Sequence, residues 1–102
     1  MSDRVAALLG MLARRPDDPR LRFGLAAEYE KREQWDEVVA QLQAYLQATD
    51  DEGNAWGRLA LALRKLGREG EAMTALKKGI DAARRHGHPS MAAEFEEMLE
   101  QQ

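Results

Sequence analysis

The sequence resembles itself when it is shifted by 34 residues, and this repeat limits the possible folds more than any other feature. Identical pairs include Leu25 and Leu59, Ala26 and Ala60, Lys31 and Lys65, Glu37 and Glu71, Leu42 and Leu76, and Ala48 and Ala82. Other positions match in kind, such as Val39 with Met73. A second shift adds Val5 and Leu8 to the series, opposite Val39 and Leu42. Units of this size bury their apolar faces by stacking on their neighbours.

The residue types predict that each unit is helical. The 102 residues include 17 alanines and 13 leucines, but only six valines, isoleucines and threonines together. Alanine and leucine favour helices, whereas β-branched residues favour strands. Asp18 followed by Pro19 is a helix start, and Gly67 and Gly87 are helix ends. We therefore predict an all-α chain with six helices, at about 2–15, 19–32, 35–48, 54–66, 69–85 and 89–100.

A 34-residue unit of two helices resembles the tetratricopeptide repeat. The motif residues in the second unit are Trp56, Leu59, Ala60, Leu63, Ala72 and Leu76, and those in the first are Arg22, Leu25, Ala26, Tyr29, Val38 and Leu42. Arg22 replaces the family's aromatic residue, Glu33 replaces the turn glycine, and Asp50 and Arg84 replace the closing proline. As a whole, the chain is similar to small stand-alone bacterial tetratricopeptide proteins.

The resemblance implies a right-handed α–α superhelix in one domain spanning residues 1–102. A half-repeat helix at 2–16 precedes repeats at 19–52 and 53–86, and a capping helix at 89–101 follows them. In that helix Met91, Phe95, Met98 and Leu99 form the apolar stripe that we assign to the core. Trp56 stands at the family's core position, and Trp35 at a turn position that also serves packing.

The inventory of reactive side chains argues against an enzyme. The chain has no cysteine. Its other candidate nucleophiles and neutral bases are Ser2, Thr49, Thr74, His86, His88 and Ser90. Only carboxylates are abundant enough to form an acid–base pair. His86-Gly87-His88 could supply two metal ligands, but no third ligand is evident nearby, and a helix-ending loop is the favoured interpretation. We predict no catalytic residue, no metal and no cofactor.

Charge and hydropathy narrow the range of partners. The net charge is −3, which disfavours a dedicated nucleic-acid binder. Residues 23–57 have a net charge of −6, and residues 58–88 have a net charge of +5. Such blocks are usually solvated faces, and otherwise they indicate a polar partner site or head-to-tail association. No apolar run is long enough to span a membrane, and the N-terminus does not resemble a secretory signal. We predict a cytoplasmic protein.

The resemblance also implies a function, because the first helix of each tetratricopeptide hairpin lines a concave groove that binds peptides. Transferred by alignment, the groove residues of the first unit are Arg20, Phe23, Ala27, Glu30 and Lys31. Those of the second unit are Asn54, Gly57, Leu61, Arg64 and Lys65. We expect an adaptor or assembly factor that binds a protein or peptide with an apolar anchor and an acidic flank. The alternative is a self-associating structural protein, a homodimer whose groove is filled by a second copy.

Overall fold

The computed structural model describes residues 3–101, which form six α-helices and contain no strand. The helices are α1 (Arg4–Arg14), α2 (Pro19–Lys31), α3 (Trp35–Ala48), α4 (Asn54–Lys65), α5 (Glu69–Arg85) and α6 (Pro89–Glu100). The prediction of an all-α chain with six helices is confirmed. Ser2, at the start of the first predicted helix, lies outside the described residues. Within residues 3–101, no helix combines the length and apolar character needed to cross a membrane.

The chain divides between Thr49 and Asp50 into two compact units. The N-terminal unit contains α1, α2 and α3, with α1 packed on α2 and α2 packed on α3. Leu25, Val38 and Leu42 are fully buried and form the centre of the α2–α3 hairpin. Together with Tyr29 they give each helix an apolar face whose removal from water stabilises the hairpin.

Two of the three helices of the N-terminal unit, α1 and α2, begin at acidic N-caps. The Asp3 carboxylate accepts a hydrogen bond from the Ala6 N–H (3.1 Å), and the Asp18 carboxylate accepts one from the Arg20 N–H (3.0 Å). These bonds satisfy backbone donors that have no partner inside the helix. Pro19 occupies the first turn of α2, where its missing N–H has no cost. The boundary between α1 and α2 is therefore determined locally.

The C-terminal unit contains α4, α5 and α6, with α4 packed on α5 and α5 packed on α6. Leu63 and Leu76 are fully buried between its helices. The start of α4 is held by Asp51, which is itself buried. The Asp51 carboxylate accepts hydrogen bonds from the N–H groups of Gly53 (2.8 Å) and Ala55 (2.9 Å). Asp51 therefore acts as the cap of a helix whose preceding residue, Gly53, has no side chain to do so.

Residues that are 34 positions apart have matching environments within their own units. Leu25 and Leu59 are both buried, as are Ala26 and Ala60. The turns inside the two hairpins also match, since Glu33 and Gly67 both have a positive φ, of 54° and 75°. The two hairpins therefore use the same positions for packing and for the turn.

Candidate protein-interaction faces

The structure places the five predicted groove residues of the N-terminal unit along α2. Arg20 and Lys31 are exposed, and Phe23, Ala27 and Glu30 are half-buried. Both cations already have acidic neighbours. Arg20 Nη2 lies 3.2 Å from Asp18 Oδ2, and Lys31 Nζ lies 3.2 Å from Glu28 Oε2.

These pairs shift the acidities of the two carboxyl groups. The hydrogen bond from Lys31, with a further one from Arg4, lowers the pKa of Glu28. The side-chain hydrogen bond from Arg20 likewise lowers the pKa of Asp18. The charge of Lys31, which we expected to attract an acidic ligand, is therefore partly compensated within the chain.

Phe23 is less available than the sequence suggests. We expected this ring to be free of the core, but it packs on Tyr45 of α3 with ring centroids 5.1 Å apart and planes inclined by 52°. Tilted aromatic pairs at this distance contribute to stability beyond their buried area. Phe23 is therefore part of the α2–α3 packing as well as a neighbour of the predicted groove face.

On α4 the predicted groove residues divide into exposed and covered positions. Asn54, Leu61 and Lys65 are exposed and lie seven and four residues apart, which places them on one side of the helix. Leu61 keeps 39% of its surface accessible. This side of α4 therefore presents a large apolar residue to solvent.

Gly57 and Arg64 are instead covered by α6. A Cβ atom built on Gly57 would lie only 2.6 Å from Phe95 Cε1, so the phenyl ring rests directly on the glycine. Arg64 donates from Nη2 to the carbonyl oxygen of Met98 (2.6 Å) and from Nε to Glu69 Oε2 (2.8 Å). Arg64 therefore holds the end of α6 against α4, which uses the donors that we had assigned to a ligand.

The two tryptophans are half-buried. For Trp56 this differs from the sequence prediction of a core position. Its ring lies beneath Lys78, whose Nζ is 5.3 Å from the ring centroid. A cation over an indole face is electrostatically attracted to it. The ring of Trp56 therefore lies at the surface of the C-terminal unit, with Lys78 over one of its faces.

The histidines pair with carboxylates that lie 36 residues earlier in the chain. His86 Nε2 is 3.2 Å from Asp50 Oδ2, and His88 Nε2 is 2.5 Å from Glu52 Oε1. The hydrogen bond from His88 lowers the pKa of Glu52. No group of three or more candidate metal ligands occurs among residues 3–101. The two pairs join the α5–α6 turn to the segment that precedes α4.

Sequence reasoning missed two buried polar residues, Gln41 and Asp51. Gln41 Oε1 accepts a hydrogen bond from Arg22 Nη1 (3.2 Å), so the arginine that replaces the family's aromatic residue has a polar partner on α3. Arg22 could have predicted a polar residue such as Gln41 on α3, because a cation at a packing position needs a hydrogen-bond partner.

Taken together, the fold and these faces define a small all-α protein built from helical hairpins, with polar, solvated helix faces. The solution structure of protein BPP2914 from Bordetella parapertussis is similar, with a TM-score of 0.81 and 30% sequence identity over 99% of this chain and 88% of that chain. At this identity and coverage, the chain belongs to the same protein family as BPP2914. No family model and no curated protein matches the chain.

Proposed function

We propose that the chain is a protein–protein interaction module of the tetratricopeptide type. It binds an extended peptide or a short helix of a partner through the exposed face of α4, which carries Asn54, Leu61 and Lys65. It acts as a cytoplasmic adaptor or assembly factor without catalysis. The exposure of Leu61 carries this proposal. Leu59 and Leu63 on the same helix are buried, so the hairpin has a complete apolar face without Leu61. A partner that covers Leu61 would remove its exposed apolar surface from water, which favours binding.

The tetratricopeptide type is supported by the equivalence of the two hairpins. Leu42 and Leu76 are both fully buried, and Val38 and Ala72, at the family's small apolar position, are fully buried too. A repeat that keeps its packing positions leaves the other positions free to vary with the partner. Arg20 and Leu61 belong to this second group.

The experiment compares Leu61→Glu with Leu9→Glu. Leu9 lies on α1 with 43% of its surface accessible, so it matches Leu61 in size and exposure. Tagged wild-type protein and both variants are incubated with lysate of the source cells, and the bound proteins are identified. We expect wild type and Leu9→Glu to retain the same partner, and Leu61→Glu to bind it at least about tenfold more weakly.

Circular dichroism of the variants serves as the folding control, since both leucines are exposed. If all three proteins capture the same partners equally, the α4 face is not the binding site and the proposal fails. Light scattering at micromolar concentration tests the alternative. A wild-type dimer that Leu61→Glu dissociates would identify the occupant of this face as a second copy.

A further inference from the structure

A second surface of the C-terminal unit has the features of a binding site. It is a shallow, open pocket of about 470 Å³ on the outer face of α5, beside the start of α4. The residues that line it are Trp56, Thr74, Lys77, Lys78, Asp81 and Arg85. Thr74, Lys78, Asp81 and Arg85 follow one another at intervals of four, three and four residues. They therefore form a single stripe along α5.

The pocket carries a surplus of positive charge. Arg85 is neutralised within the unit, because its Nε lies 3.1 Å from Asp81 Oδ2 and its Nη1 lies 3.6 Å from Asp50 Oδ1. Lys77 and Lys78 are exposed, and neither forms an ion pair within residues 3–101. The ammonium group of Lys78 lies over the ring of Trp56. Two ammonium groups therefore stand beside an apolar ring without a carboxylate of their own.

Packing of the α4–α5 hairpin does not require two lysines beside a tryptophan. The positions 34 residues before Thr74, Lys77, Lys78 and Asp81 are Ala40, Gln43, Ala44 and Gln47 on α3, which carry no charge. The position 34 residues before Arg85 is Asp51, an acid. In the first hairpin Arg22 stands in place of Trp56. Since the first hairpin forms with neither the cations nor the indole, the second hairpin does not need them for its fold.

The chemistry of the pocket specifies its occupant. We propose that it binds an acidic peptide segment of a protein partner, with an apolar side chain on the Trp56 ring and flanking carboxylates on Lys77 and Lys78. A half-buried indole is a common anchor in protein interfaces. The open shape suits side chains of an extended segment more than an enclosed small molecule. This surface is distinct from the exposed face of α4 that carries Leu61, so either proposal can fail without the other.

Nucleic acid fits the same surface less well. The C-terminal unit, residues 50–102, has ten acids and eight bases, a net charge of −2. Asp81 lines the pocket and Asp50 pairs with its Arg85, and both acids would repel phosphates. A single aromatic ring offers one stacking surface. A peptide can place its carboxylates on the two lysines and keep them away from these acids.

The test is an NMR titration of uniformly ¹⁵N-labelled protein. Binding is monitored through the indole signal of Trp56 and the backbone amide signals of residues 74–85. The probe is a synthetic pentapeptide with a central leucine and two glutamates on each side. A pentapeptide with glutamines in place of the glutamates is the neutral control, and a uridine hexanucleotide is the nucleic-acid probe. We expect saturable shifts at these signals with the acidic peptide, which weaken as the salt concentration rises.

The double variant Lys77→Gln, Lys78→Gln should weaken binding of the acidic peptide by about tenfold or more. The matched control is Arg14→Gln, Arg15→Gln, which removes the same charge from exposed residues of the N-terminal unit and should bind like wild type. Dispersed amide signals show that each variant is folded. The proposal is overturned if the two double variants bind alike, if the neutral peptide binds as well as the acidic one, or if the hexanucleotide shifts these signals at lower concentration than the peptide.

Discussion

Glu33 has an unusual backbone conformation for a residue with a side chain. Within residues 3–101, Gly67 and Gly87 also follow a helix with a positive φ, of 75° and 76°, compared with 54° at Glu33. The turn is held by backbone hydrogen bonds, since the Gln34 N–H donates to Tyr29 O (3.0 Å). A left-handed conformation costs a residue with a Cβ atom about 1–2 kcal/mol, and glycine avoids most of this cost.

Replacing Glu33 by glycine should therefore raise the free energy of unfolding by up to about 1 kcal/mol, because relief of the strain exceeds the added entropy of the unfolded chain. Urea denaturation monitored by circular dichroism measures the change. Gly67→Ala is the matched control and should lower stability by about 1 kcal/mol, since it introduces the same strain. A loss of stability in Glu33→Gly would show that the glutamate side chain has a stabilising role of its own.

At the scale of helices, one side chain of α6, Phe95, packs between α4 and α5. The Phe95 ring lies in a slot whose walls are Gly57 of α4 and Gly79 of α5. Cβ atoms built on these glycines would lie 2.6 Å and 3.0 Å from the ring. Phe95 and Ala92 are buried, whereas Met91 and Met98 are only half-buried. The slot requires glycine because there is no room for a methyl group between the helix and the ring.

Gly57→Ala should consequently lower the free energy of unfolding by about 1–3 kcal/mol, because the methyl group displaces Phe95. Gly70→Ala is the control within α5. A Cβ atom on Gly70 would meet nothing within 4 Å, so alanine should raise stability by about 0.5–1 kcal/mol through helix propensity. Thermal melts compare the two. If Gly57→Ala is as stable as wild type, α6 does not depend on the slot.

At the scale of the whole molecule, several carboxyl groups prefer the charged form. The pKa of Asp3 is lowered by hydrogen bonding to the Ala6 N–H, that of Glu52 by His88 and that of Glu71 by Arg68. The pKa values of Asp18 and Glu28 are lowered as well. These groups occur in both units. Asp3, Glu52 and Glu71 are exposed, so each contributes little alone, whereas Asp18 and Glu28 are half-buried. Salt weakens the ion pairs of all five groups.

The direction of these shifts predicts acid sensitivity. A lowered pKa means that the folded state binds the proton less tightly than the unfolded state. The stabilisation is therefore complete above the usual carboxyl pKa, 4.5 for glutamate, and is lost as the pH falls below it. Melting temperatures measured from pH 6 down to pH 3 should decrease, and high salt should reduce the decrease.

Glu28→Gln tests the assignment of this effect to a particular pair, since it removes the partner of Lys31 and Arg4. Its melting temperature should fall less between pH 6 and pH 3 than that of wild type. Glu94→Gln is the control, because Glu94 is exposed and forms no ion pair within residues 3–101. Equal pH dependence in all three proteins would contradict the assignment.

The sequence by itself determined the helices of this protein. The predicted bounds of α3, α5 and α6 agree with the structure, and those of α2 and α4 differ by one residue at their ends. These boundaries depend on interactions within a few residues, such as the Asp18 cap before Pro19 and the left-handed Gly67. The periodic leucines and alanines also identified the buried positions, because a helix turns one face toward its neighbour.

Only the tertiary structure decided which surface residues remain available. The family resemblance assigned Gly57 and Arg64 to a solvent-facing groove, but α6 covers both. It also assigned Trp56 to the core, whereas its ring forms part of an exposed pocket with Lys78. The partners in these contacts lie 22 to 38 residues apart in the sequence. Spacing along one helix reports which residues share a face, but the helix that covers a face is selected by packing between distant segments.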